Sequence, residues 1–200
     1  MHPRLESFQS ACADAVALDP EPCEIVRTLV PQMRELLQVA PDFLEPRHRQ
    51  GSPDGYSRNL VFAGDDDALS LFTLVWAPGQ RTPIHDHGTW GVVGVVEGML
   101  EEQSFVRIDS DAAAHPDEGI ELTPGGFVLL PPGAVVTFLP DPDHIHETGV
   151  PANRGPTLSL HLYGRFLNAF NVYDRVAGTR KLIQAADTEL GAVPTSRCAA

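Results

Sequence analysis

Hydrophobic positions follow a helical period over the first ~45 residues and then break into short alternating runs. Leu5, Phe8, Cys12 and Val16 share one helical face, and beyond Asp19-Pro20-Glu21-Pro22 the set Ile25, Leu29, Met33, Leu36 and Leu37 repeats the spacing. Pro31 inside the second stripe predicts a bend or a boundary. These apolar faces must rest on something, most simply the outside of a β-domain. A polar loop, His48-Arg49-Gln50-Gly51-Ser52-Pro53-Asp54-Gly55, separates the helical part from the strands. From Tyr56 onward, β-branched and aromatic runs divided by Gly, Pro and Asp predict strands at 56–63, 69–77, 90–96, 101–108, 119–122, 126–130, 135–139, 144–150 and 157–163. Many short strands with no helix between them predict a mainly β fold, a sandwich or barrel. The expected organisation is an N-terminal helical segment at 1–50, a β-barrel at 51–175 and a polar, loosely packed tail at 176–200.

Composition narrows the possibilities. The 200 residues suffice for one domain with a sizeable core, and 17 Gly and 18 Pro punctuate its middle as turns. Fourteen basic against 27 acidic residues give a net charge of −13, which repels a phosphate backbone and argues against nucleic acid as a partner. No run approaches the ~20 apolar residues of a membrane-spanning helix. The opening Met1-His2-Pro3-Arg4-Leu5-Glu6 has no apolar stretch of the secretory kind. Cys12, Cys23 and Cys198 are odd in number and far apart, which fits neither a disulfide framework nor a cysteine-rich metal site and suits a cytoplasmic protein.

The strongest chemical signal is Pro83-Ile84-His85-Asp86-His87. Two imidazoles at i and i+2 on an extended segment point to one face and make a pair of nitrogen ligands for Zn, Fe, Cu or Ni. The bland alternative is a solvated loop with two incidental histidines. Downstream, His144 and His146 have the same strand parity, so alternation alone does not choose between them. In Thr157-Leu158-Ser159-Leu160-His161-Leu162-Tyr163 the leucines share one face, and Ser159, His161 and Tyr163 share the other. Buried, that polar face must satisfy its own hydrogen-bonding groups. It reads either as a polar ladder or as a hydroxyl–imidazole–phenol relay in a pocket. Trp76 and Trp90 read as core, His115 as solvated, and His48 has no assigned role.

Gly79, His85-x-His87, Gly91 and Gly98 are similar to the first motif of the cupin superfamily, with Gly91 at the motif's glutamate position. Gly125 and Pro131-x-Gly133 resemble the start of its second motif, although Val136 stands where the last histidine usually falls. The resemblance implies a single-domain cupin, a small β-barrel or jelly roll, with the N-terminal helices packed outside. Taken with Ser159-x-His161-x-Tyr163, Tyr56-Ser57-Arg58-Asn59-Leu60-Val61 and Phe170-Asn171-Val172-Tyr173-Asp174, the chain resembles the cysteine dioxygenase type I family of cupin thiol dioxygenases over about residues 56–175.

That resemblance implies Fe(II) held by His85, His87 and His146, the last chosen over His144 by its separation from the Ser159 strand. It implies that Arg58 binds a substrate carboxylate, that Tyr163 donates a hydrogen bond at the reacting sulfur or oxygen, and that His161, held by Ser159, orients Tyr163. The partners it implies are a small thiol carboxylate and O2, with a sulfinic acid as product. Animal members carry a cysteine bonded to the active-site tyrosine near the place of Gly91; no cysteine lies between Cys23 and Cys198, so Tyr163 is expected to stay unmodified. The substrate choice is among L-cysteine, 3-mercaptopropionate and mercaptosuccinate, with Arg165 a candidate second carboxylate partner at the pocket rim. The rivals are another cupin enzyme, against which Gly91 argues, and a non-catalytic metal- or ligand-binding cupin.

Overall fold

The computed structural model describes residues 2–18, 20–65, 68–109, 116–140 and 144–184, so His115 and Cys198 lie outside the described residues. Helix α1 (Pro3–Ala17) starts with a proline in its first turn, where the missing N–H is no loss, and the His2 ring accepts from the Arg4 amide. Helix α2 (Pro22–Gln38) buries Ile25, Val26, Leu29, Met33, Leu36 and Leu37 along one stripe. Pro31 does not end this helix. It sits on the exposed side, where a carbonyl that loses its intrahelical partner can bond to water, and the buried stripe carries the helix through. A four-residue helix α3 (Ala40–Phe43) and a 3-10 turn (Pro46–Arg49) lead into the strands.

The strands are β1 (Ser57–Ala63), β2 (Ser70–Trp76), β3 (Ile84–His85), β4 (Gly91–Glu97), β5 (Leu100–Arg107), β6 (Leu122–Leu130), β7 (Val135–Phe138), β8 (Ile145–Gly149), β9 (Thr157–Tyr163), β10 (Ala169–Asp174) and β11 (Thr179–Gln184). They form two antiparallel sheets, ordered β1-β2-β9-β4-β7 and β11-β10-β3-β8-β5-β6. The fold is mainly β, two antiparallel sheets facing each other across a shared core. The helices cover the outer face of the first sheet, where Leu158, Leu160 and Leu162 join Leu29, Met33 and Leu36 in one core cluster. Gly94 permits that closeness: a Cβ there would stand 2.9 Å from a Leu37 methyl carbon. Between the sheets lies a second cluster that includes Phe72, Trp76, Val93, Phe138, Tyr163 and Phe170.

Two expectations change. The run at 126–130 belongs to a longer strand, β6, that starts at Leu122 and crosses Pro124-Gly125-Gly126 with a register shift opposite Gln103/Phe105, whereas 119–121 are not in a strand. An edge position tolerates this, because the ladder bond that proline cannot make is not needed on the open side. Residues 179–184, expected in a loose tail, form β11 and pair with β10 from Asp174↔Thr179 to Ala169↔Gln184. An edge strand needs little apolar surface, since its backbone pairing does not depend on side-chain polarity. No helix among the described residues is long and apolar enough to cross a membrane.

Candidate active site

The two sheets bring their chemistry together from opposite sides of one buried cavity. From the second sheet, His85 pairs directly with His146 across β3 and β8, and His87 follows two residues after His85. Ring centroids are 4.8 Å apart for His85–His87, 4.6 Å for His85–His146 and 5.0 Å for His87–His146. One nitrogen from each ring lies within 4.8 Å of the others, so the triad can hold a metal ion. Burial is the first cause lowering all three imidazoles from their ordinary value, and mutual repulsion adds to it at His85 and His87, so each ring is neutral and has a lone pair to offer.

The hydrogen bonds fit a metal. His85 Nδ1 is 3.0 Å from the Pro83 carbonyl, which only accepts, so Nδ1 carries the proton and Nε2 is free. His146 Nδ1 is 3.1 Å from a Glu102 carboxylate oxygen, and its Nε2 is buried without a partner. His87 Nδ1 is likewise unpartnered, and the Phe138 ring stacks on this imidazole at 4.1 Å and 16°. His144 is not part of the triad, although its ring lies 4.5 Å from that of His146; it is half-buried, with Nε2 3.1 Å from the other Glu102 oxygen. Glu102, His144 and His146 also meet the distance condition for a metal, but their donor atoms already bond to one another.

Alternation also places Asp86, the residue between the two histidines, on the opposite side of the strand. There its carboxylate accepts from the Tyr173 hydroxyl at 2.7 Å, and from the Asn171 side chain at 3.0 and 3.2 Å and its backbone N–H at 3.3 Å. Strand β10 therefore clamps the His-x-His segment from behind. Arg165 holds the same segment at its far end: its Nη2 donates to the His87 carbonyl at 2.8 Å and the Ala169 carbonyl at 2.6 Å. Arg165 is not among the cavity-lining residues, whereas Arg58 is. The Arg58 guanidinium lies 4.4 Å from the centroid of the Phe72 ring and donates to the Leu167 carbonyl at 2.6 Å.

The first sheet supplies the relay from the inner face of β9. Ser159 Oγ is 2.8 Å from His161 Nε2, and His161 Nδ1 is 3.3 Å from the Tyr163 hydroxyl. Trp76 Nε1 donates to Ser159 Oγ at 3.1 Å, and it has no other role open to it. In the tautomer where Ser159 donates to His161 Nε2, the ring carries its proton on Nδ1. His161 then donates from Nδ1 to the Tyr163 oxygen, which leaves the phenol proton to point into the cavity. Burial lowers His161 to about 3, so the ring is a neutral link. Burial likewise pushes Tyr163 up to about 12, which keeps the phenol protonated at neutral pH.

Gly91 pairs with Tyr163 across β4 and β9. A Cβ at Gly91 would come within 2.1 Å of the Phe138 ring, so an aromatic side chain fills the space beside the tyrosine. Local sequence pattern does not single out Glu102, Phe138 or the contact made by Trp76. Asp86 alone carries a signal, its place within the His-x-His motif. Trp76 is core, as expected, and it also lines the cavity with Tyr56 stacked on it at 4.5 Å.

Among solved structures, a cupin-like protein from Thermotoga maritima is 17% identical, with 74% of this chain and 92% of that chain covered at a TM-score of 0.43. A protein with a double-stranded beta-helix domain from Klebsiella pneumoniae is 13% identical, with coverages of 66% and 97% and a TM-score of 0.45. The sequence model of the family described as cysteine dioxygenase type I matches residues 47–176, which includes every strand from β1 to β10, and the chain belongs to that family.

Proposed function

We propose that the protein is an Fe(II)-dependent thiol dioxygenase that adds both atoms of O2 to the sulfur of a small thiol carboxylate, giving a sulfinic acid. One observation carries this reading: three neutral imidazoles, the Tyr163 phenol and the Arg58 guanidinium face the same buried cavity. Iron held by His85, His87 and His146 would lower the pKa of a substrate thiol and leave a position open for dioxygen. Arg58 binds the carboxylate through the N–H groups not given to Leu167, and its seat on Phe72 fixes their direction. Tyr163 donates its proton toward the reacting sulfur or oxygen. Ser159 and His161 hold that hydroxyl, and Trp76 anchors the serine from behind. The apolar walls, Leu74, Val93, Phe138, Leu167 and Phe170, exclude water around it.

Two features order the candidate substrates. No Asp or Glu side chain lines the cavity among the described residues, so an ammonium group would find no counter-charge there. Arg165 gives its Nη2 to two backbone carbonyls and is not among the residues that line the cavity, so a second carboxylate there would find no second guanidinium. Together they favour a thiol monocarboxylate without an amine, such as 3-mercaptopropionate, over both L-cysteine and mercaptosuccinate.

The test is iron content together with thiol-dependent oxygen uptake on these three compounds. Arg58→Ala should lose about 2–5 kcal/mol of kcat/KM on each, the cost of breaking a buried charged contact. Arg165→Ala should weaken all three alike, because it loosens the His87 segment. Selective loss on mercaptosuccinate would return Arg165 to substrate binding, and cysteamine as the best substrate would remove the role given to Arg58.

A further inference from the structure

Glu102 lies on β5 directly behind the metal triad. On that strand Ser104 pairs with His146 and Glu102 pairs with Thr148, so the Glu102 side chain reaches His146 on the diagonal. Its Oε2 is 3.1 Å from His146 Nδ1 and its Oε1 is 3.1 Å from His144 Nε2. Among the described residues, the only other partner of His146 Nδ1 is the Thr148 hydroxyl, uncharged and further off at 3.4 Å.

The three histidines therefore have three different backings. His85 leans on a neutral carbonyl, His87 on the face of an aromatic ring, and His146 on an anion. We infer that Glu102 is a positioning residue for His146: it fixes the Nδ1–H tautomer, directs the unpartnered Nε2 toward His85 and His87, and sets a negative charge behind a ligand set that has none of its own. Charge behind an imidazole raises its basicity as a ligand, which tightens metal binding. The inference rests on the metal role proposed above for the triad and not on the identity of the thiol.

The experiment loads the full chain with Co(II) and measures affinity by chelator competition, with the visible d–d absorption reporting ligand geometry. Glu102→Ala should weaken Co(II) binding about 10–100-fold and shift the spectrum. Glu102→Gln should fall between Glu102→Ala and the wild type, since an amide oxygen still accepts from Nδ1 without the charge. His144→Ala should stay near the wild type, because the Oε2 contact with His146 remains. Wild-type affinity in both Glu102 variants overturns the inference; where Glu102→Ala does not fold, wild-type affinity in Glu102→Gln does so. Two Co(II) ions per chain, the second lost in His144→Ala, would also overturn it, making Glu102 a ligand of its own site. One tight site that weakens in Glu102→Ala supports the inference even if the iron-loaded protein oxidises no thiol, so this reading and the proposed activity fall separately.

Discussion

The two sheets hold their functional groups by different means. In the helix-covered sheet every residue of β9 is buried, so Leu158, Leu160 and Leu162 press on the helices while Ser159, His161 and Tyr163 are pinned facing the cavity. Among the described residues no helix covers the outer face of the other sheet, and on its edge strand Phe127, Val128 and Leu129 are 55, 44 and 50% exposed. Its histidines are held instead by polar contacts: Asp86 on β10, Arg165 on the His87 carbonyl, Glu102 on His146. Packing on both faces fixes the register of Ser159, His161 and Tyr163, whereas polar contacts hold the rings of His85 and His146 and the backbone at His87, the proposed metal ligands. Damage to the first sheet should therefore appear as lost stability, and damage to the second as lost metal.

The sharpest contrast is within β8. His146→Ala should abolish iron binding and turnover, while His144→Ala should keep most of both; metal analysis and oxygen uptake decide, and equal iron loss would erase the distinction between the two rings. On the covered side, Tyr163→Phe should keep the metal and slow turnover by about 10²–10⁴-fold, the range of a positioned proton donor. A peptide map of the wild-type protein after turnover should show Tyr163 unmodified, and a thioether there would contradict the space-filling role of Phe138.

Leu160, fully buried between sheet and helices, should cost about 2–5 kcal/mol when truncated to Ala. Urea unfolding measures that loss, and chelator competition on the folded variant should find unchanged metal affinity. Acid acts on the same sheet. His161 falls from 6.5 to about 3 on folding, so between these values the unfolded chain binds a proton that the native state refuses. Stability must then drop as pH falls below 6.5, by about 2 kcal/mol at pH 5 for this group alone. His161→Gln should flatten the pH dependence of unfolding by that amount in metal-free protein, and an unchanged slope would assign the acid sensitivity elsewhere. The smallest effect belongs to the uncovered edge: Phe127→Ser should move stability by no more than about 0.5 kcal/mol, readable as Tm.

Much of the site is legible in the sequence because it is local. His85 and His87 announce themselves by i,i+2 spacing, and Ser159, His161 and Tyr163 by alternation against a leucine face; both arise from the two-residue repeat of a strand. Glu102 is not legible. It lies in Glu101-Glu102-Gln103-Ser104, a run that reads as an ordinary solvated strand, and only the pairing of β5 with β8 gives it a partner. For Arg165, proximity in sequence to Tyr163 suggests the pocket rim; in the structure its Nη2 donates to two backbone carbonyls and the residue is not among those that line the cavity.

What the sequence determined by itself was the order of helices and strands, the faces they bury and the chemistry available on each face, because periodicity and residue type act within a few positions. The tertiary structure decided which faces meet. It set His146 opposite His85, put Phe138 into the space left by Gly91, and enlisted residues 179–184 as an edge strand behind β10. Those outcomes depend on strand register and on contacts between residues tens of positions apart. No local pattern encodes them, since a one-residue slip would turn the same side chains to the opposite face.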